Sequence, residues 1–137
     1  MDQHPYLRAY MAGIAVPTAF FLIASSAYTL FRLVYHPPVP VERFIVFPLA
    51  VVPNAWGLWN VVFVLWRQRL QMSIGLHGAL LPFLIVPLGI VFVSLPNVTI
   101  PRFAVHFFPV AAPIGLILYY LAWKYLVGFL NRVVGLA

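Results

Sequence analysis

The residues best suited to chemistry lie in the segment 53–60, PNAWGLWN, inside a long apolar stretch. Trp56 and Asn60 are four residues apart and share one face of a helix, whereas Asn54, six residues before Asn60, points elsewhere. Trp56 and Asn60 fit two interpretations that stay open: the wall of a ligand pocket, or a packing contact in which the amide bonds to a neighbouring helix. For Asn54 we favour packing, because it follows Pro53 and can bond to a broken helical backbone.

Prolines interrupt every long apolar stretch. A proline within a helix removes one hydrogen bond and frees the carbonyl four residues earlier, which needs another partner in hydrocarbon. The pattern predicts kinked helices whose freed carbonyls either line a cavity or simply accompany bends used in packing. The predicted cavity lies near Pro53, Asn54, Trp56, Asn60 and Pro87. The interrupting prolines are Pro17, Pro48, Pro53, Pro82, Pro87, Pro109 and Pro113.

A second predicted site is a binding site for an anionic lipid headgroup. Arg43 and Arg102 fall in two proline-rich connections, and His106 follows four residues after Arg102. Basic side chains at the membrane interface attract anionic headgroups, which is the chemistry expected here. Ordinary interfacial anchoring of the helix ends is the other interpretation of the same residues.

Catalysis and metal binding are not predicted. The chain has no Cys, and its acids are Asp2 and Glu42 alone, so paired carboxylates and thiolate sites are excluded. His77 and His106 fall on opposite sides of the membrane, so they cannot ligate the same haem iron. We therefore expect no catalytic residue, no metal and no cofactor.

The elements that must position these residues are membrane-spanning helices. The chain has 137 residues, of which 64% are hydrophobic and 7% charged, whereas soluble proteins carry about 25% charged residues. A spanning helix needs about 20 apolar residues, and four segments qualify. We predict an all-α, integral membrane four-helix bundle, a single transmembrane domain over residues 1–137. Its spans are residues 11–35, 44–66, 74–95 and 103–127.

The charges set the expected orientation. Five basic residues flank one side of the predicted spans and three flank the other. The excess predicts that both termini lie in the cytoplasm, in the inner membrane if the source is bacterial. The net charge of +6 comes from residues at span ends, so nucleic acid is not an expected partner. The larger set is Arg8, Arg67, Arg69, Lys124 and Arg132, and the smaller is Arg32, Arg43 and Arg102.

Two halves of the chain resemble each other weakly. With a shift of 59 residues, PPVPVERFIV at 37–46 lies over PNVTIPRFAV at 96–105. Both segments lead into a helix with two prolines. A duplication would give two paired spans repeated about an axis along the membrane normal, and coincidence in a chain rich in Val and Pro is the alternative.

These features favour a non-catalytic membrane protein. It would bind a lipid or another hydrophobic small molecule, or serve as a subunit of a membrane complex, with membrane lipids, a second copy or another membrane protein as partners. A small homo-oligomeric transporter or channel is the first alternative. A lipid-modifying membrane enzyme, with His77 or His106 as base and a partner that supplies acids or metal, is the second.

Overall fold

A computed structural model describes the backbone of residues 4–36, 41–94 and 102–136, with the side chains of 41–47, 92–94 and 102–104 outside the description. Its elements are helical throughout this part of the chain. They run in the order α1 (Pro5–Tyr35), α2 (Val41–Leu70), α3 (Ile74–Ser94), α4 (Arg102–Leu121), a π-helical segment (Ala122–Val127) and α5 (Gly128–Val133). The predicted all-α four-helix architecture is confirmed.

Four helical stretches of the described residues are long and apolar enough to cross a membrane. The chain is therefore a multi-pass membrane protein. The guanidinium Nη1 of Arg8 donates to the Val134 carbonyl oxygen at 2.9 Å, so α1 begins where α5 ends. We call this end of the bundle the terminal side. The opposite end, where α1 and α3 finish and α2 and α4 begin, is the loop side.

The helices extend beyond the apolar spans that the sequence predicts. The first begins at Pro5 rather than near residue 11, and α2 continues to Leu70. Arg67 and Arg69, which we expected in a connection, therefore lie in the last turn of α2. A helix can continue past the hydrocarbon because its backbone bonds remain satisfied internally, and long basic side chains reach the headgroups.

The prolines lie inside these helices, and Pro17, Pro48, Pro53, Pro82 and Pro87 are among them. Kinking at these positions stays a prediction. The duplication also stays a prediction, since most of the segments 37–46 and 96–105 that carry it lie outside the described residues or side chains.

Glycines set the closest helix contacts. A Cβ atom added to Gly13 would lie 2.6 Å from the Trp56 carbonyl oxygen and 2.9 Å from the Gly57 Cα. Only a residue without a side chain allows α1 and α2 to approach this closely. On α3, a Cβ atom at Gly78 would lie 1.9 Å from the Trp123 side chain. That indole fills the centre of a core whose buried members are Trp56, Leu81, Ile85, Trp123 and Val127.

The π-helical segment keeps one face of the last span directed at the core. The Gly128 N–H donates to the Trp123 carbonyl five residues earlier, which is the hydrogen bond that defines a π-helix. In an α-helix each step of four residues advances the face by about 40°, so the two steps from Trp123 to Asn131 would turn it by about 80°. The wider π turn has more residues per turn and offsets this drift. Buried Trp123, Val127 and Asn131 therefore all face inward.

The end of α5 is a Schellman motif held by two arginines. The Leu136 N–H bonds to the Asn131 carbonyl at 2.8 Å, and Gly135, with φ of 73°, supplies the left-handed residue that this motif requires. Arg67 donates to the Leu136 carbonyl, as Arg8 does to that of Val134. These bonds attach the end of α5 to α1 through Arg8 and to α2 through Arg67.

Candidate functional site

An apolar cleft lies between α3 and α4, near the middle of both helices. Its volume is about 390 Å³, within the range of roughly 300 to 1,000 Å³ that small-molecule sites occupy. Prolines and large apolar side chains form the α3 wall, and small residues form much of the α4 wall. The lining residues are Pro82, Phe83, Ile85, Val86, Pro87, Phe108, Ala111, Ala112, Gly115, Leu116 and Tyr119.

Three of the six α4 residues that line the cleft carry little or no side chain, which leaves space beside the helix. Ala111 and Ala112 carry one carbon each beyond the backbone, and Gly115 carries none. A Cβ atom built on Gly115 would meet no other atom within 4 Å. This glycine therefore does not serve a close helix contact, unlike Gly13 and Gly78. The space beside it is open.

Tyr119 carries the one side-chain oxygen among the cleft-lining residues. Its ring packs against Trp56, with ring centroids 5.2 Å apart. Its hydroxyl donates no hydrogen bond to an acceptor among the described residues. The Trp56 indole N–H is buried and has no hydrogen-bond partner among the described residues. The cleft is thus lined by apolar side chains and by one residue, Tyr119, that carries a hydroxyl.

The structure does not bring the predicted cavity residues together in one cavity. Pro87 lines the cleft. Trp56 lies behind it, against Tyr119, and is 5% exposed. Pro53 is buried on α2 without lining the cleft. Asn54 and Asn60 also lie outside the cleft, and both make hydrogen bonds to neighbouring groups.

Asn60 is fully buried at the centre of an amide network. Its Nδ2 donates to the Ala9 carbonyl at 2.7 Å and to the Asn131 Oδ1 at 2.8 Å. The Asn131 Nδ2 donates back to the Asn60 Oδ1 at 3.0 Å. One side chain of α2 thereby joins α1 and α5. These bonds are the helix-to-helix contact that the sequence left open as one of two roles for Asn60.

Asn54 lies on the surface between α1 and α2. The Tyr10 hydroxyl donates to its Oδ1 at 2.5 Å, and its Nδ2 donates to the Ala50 carbonyl at 2.6 Å. The amide therefore bonds to the carbonyl four residues before it. This is not the Leu49 carbonyl that Pro53 frees.

A pair that the sequence did not reveal joins α2 to α3. The Trp59 Nε1 donates to the His77 carbonyl at 2.7 Å, and the His77 Nε2 donates to the Trp59 carbonyl at 2.9 Å. The two rings are stacked, with centroids 4.7 Å apart. His77 is 4% exposed, so it is a packed interhelical residue. Neither its position near the start of a span nor the spacing to Trp59 signals this pairing.

The predicted headgroup site is only partly described. The side chains of Arg43 and Arg102 lie outside the described residues, and their positions fall in the first turns of α2 and α4 on the loop side. His106 lies on α4, two residues before Phe108 of the cleft wall. From Phe108 to Arg102 the helix rises roughly 9 Å toward the loop side, at 1.5 Å per residue.

Within the described residues, no group of three His, Cys, Asp or Glu side chains could hold a metal ion. No protein-family model, curated protein or solved structure matches the chain. Inference about function therefore depends on the geometry of the cleft and of the residues around it.

Proposed function

We propose that this protein is a non-catalytic membrane protein that binds a lipid or another hydrophobic small molecule in the cleft between α3 and α4. The observation that carries the proposal is an apolar cavity of about 390 Å³ at mid-span, open along the side-chain-free surface at Gly115. A molecule that fills an apolar space of this size gains dispersion contacts with its walls.

The surroundings favour an occupant that enters from the bilayer. Phe83 and Phe108 belong to the cleft wall, yet 66% and 55% of their surfaces are exposed. They stand at an edge that faces lipid in a membrane. Since lipid tails are as apolar as the cleft, transfer into it gains little hydrophobic energy. Selectivity must then come from the shape of the cleft and from polar groups.

The predicted headgroup residues would supply polar contacts on the loop side. Arg43, Arg102 and His106 would bind an anionic headgroup while an apolar chain lies deeper, along Phe108 and Gly115. This arrangement suits a lipid because its charge and its chain are separated along the membrane normal. We also propose that both termini are cytoplasmic, which the distribution of basic residues supports.

Native mass spectrometry of the protein extracted gently in its own lipids tests the proposal. We expect a retained mass of lipid or small-molecule size in the unaltered protein and its loss in Gly115→Leu, whose added side chain would fill the cleft. Ile117→Phe is the matched control, because Ile117 is 58% exposed and outside the cleft. The control should retain the ligand. Equal retention by Gly115→Leu and the unaltered protein would contradict the proposal.

A further inference from the structure

We infer that the ligand of the cleft carries a ring-borne carbonyl oxygen that accepts a hydrogen bond from Tyr119, with an apolar tail beyond the ring. The inference rests on the proposed function and specifies the chemical class of its ligand. It depends on the environment of one hydroxyl group and on the shape of the cleft beside it.

Tyr119 lines the cleft, and its hydroxyl donates no hydrogen bond to an acceptor among the described residues. The other cleft-lining side chains are hydrocarbon. A hydroxyl in an apolar, water-poor site loses free energy unless a ligand bonds to it. A purely hydrocarbon ligand would leave it unsatisfied, whereas a ligand with one correctly placed polar atom would not.

The geometry favours a hydrogen-bond acceptor on the ligand. A tyrosine hydroxyl has one proton and lone pairs on its oxygen. Among the described residues, no acceptor takes this proton. The hydroxyl proton is then the group left to point toward a ligand. A carbonyl oxygen is a strong neutral acceptor that brings no unsatisfied proton of its own, which suits a membrane-soluble molecule.

The walls favour a flat ring next to that carbonyl. On α4, Ala111, Ala112 and Gly115 form a surface with almost no projecting side chains. Phe83 and Phe108 supply aromatic rings around it. Aromatic rings prefer offset or edge-to-face contacts with another ring. A planar ring fits a smooth wall bordered by aromatic side chains better than a branched body does.

The test uses two probes of nearly the same shape in lipid nanodiscs: 4-decylacetophenone, and the isopropenyl analogue in which a methylene group replaces the carbonyl oxygen. Competition between them is read by native mass spectrometry. A neutral hydrogen bond of ordinary strength predicts that the unaltered protein binds the ketone roughly two- to tenfold more tightly. Tyr119→Phe should bind both probes equally. Tyr120→Phe is the matched control, since Tyr120 packs on Gly75 outside the cleft.

Infrared spectroscopy of a ¹³C-labelled ketone provides a signature that altered packing would not produce. The carbonyl stretch should move to lower wavenumber in the unaltered protein and in Tyr120→Phe, and should return to the unbonded position in Tyr119→Phe. Equal binding of both probes to the unaltered protein, with loss of both in Gly115→Leu, would overturn this inference and leave the proposed function standing. Binding of either probe unchanged by Gly115→Leu would overturn both.

Discussion

Asn60 and Asn131 exchange two hydrogen bonds through their side-chain amides, at 2.8 and 3.0 Å, although they are 71 residues apart in the chain. Both side chains are buried, at 0% and 4% exposure. The second N–H of Asn60 bonds to the Ala9 carbonyl. This pair joins α2 to α5, and its energetics can be measured directly.

Replacement of one member of the pair should destabilise the bundle. Asn131→Leu leaves the Asn60 Oδ1 buried without its partner, which costs about 1–3 kcal/mol. Asn60→Leu should cost more because the Ala9 bond is lost as well. The double variant should be less unstable than the sum, by up to about 1.7 kcal/mol. Unfolding in mixed micelles measures all three free energies, and strict additivity would show that the two amides are not coupled.

Two glycine-to-alanine changes should differ in their effect on the free energy of unfolding. Gly13→Ala places a carbon 2.6 Å from a backbone oxygen, so α1 and α2 must move apart, at a cost of about 1–3 kcal/mol. Gly115→Ala adds the same carbon to open space and should not lower the free energy of unfolding. The same micelle assay compares them. Similar losses in both variants would mean that Gly13 is not at a tight helix crossing.

Single-residue deletions should reveal the role of the π-helical segment. Removing Leu126, which is 52% exposed, can convert the segment to an α-helix while the residues on either side keep their facing. Removing Leu118, which is 60% exposed and lies in α4, rotates everything after it by about 100° relative to the preceding part. We expect folded protein from the first deletion and little from the second, judged by monodisperse elution and thermal unfolding. An equal loss of folded protein in both deletions would show that the π-helical segment does not absorb the removal of a residue.

The absence of cysteine makes the topology simple to measure. Gln71→Cys places a thiol in the terminal-side connection, and His36→Cys places one at the loop-side end of α1. In intact cells, a membrane-impermeant maleimide should label position 36 and should reach position 71 only after lysis. The reverse pattern would place both termini outside the cytoplasm and would contradict the charge-based orientation.

The spans could be predicted from sequence because the bilayer imposes a length and an apolarity on each helix. The role of Gly115 could not, since Gly13 and Gly115 look alike in the sequence and one closes a helix contact while the other opens a cleft. Pro87 was predicted at the cavity and lines it. The pairing of Asn60 with Asn131 could not be predicted from the sequence, because two residues 71 positions apart form no local pattern.

The reciprocal amide pair also constrains how the protein is made. A chain inserted into the membrane from its amino end delivers Asn60 with α2, long before Asn131 has left the ribosome. Until then α1 and α2 can cross at Gly13 and Gly57, yet the Asn60 carboxamide oxygen lacks its native partner. The nascent protein must shelter this oxygen through a lipid headgroup, water or the insertion machinery. Insertion of the last span then supplies Asn131, the partner that replaces this temporary shelter.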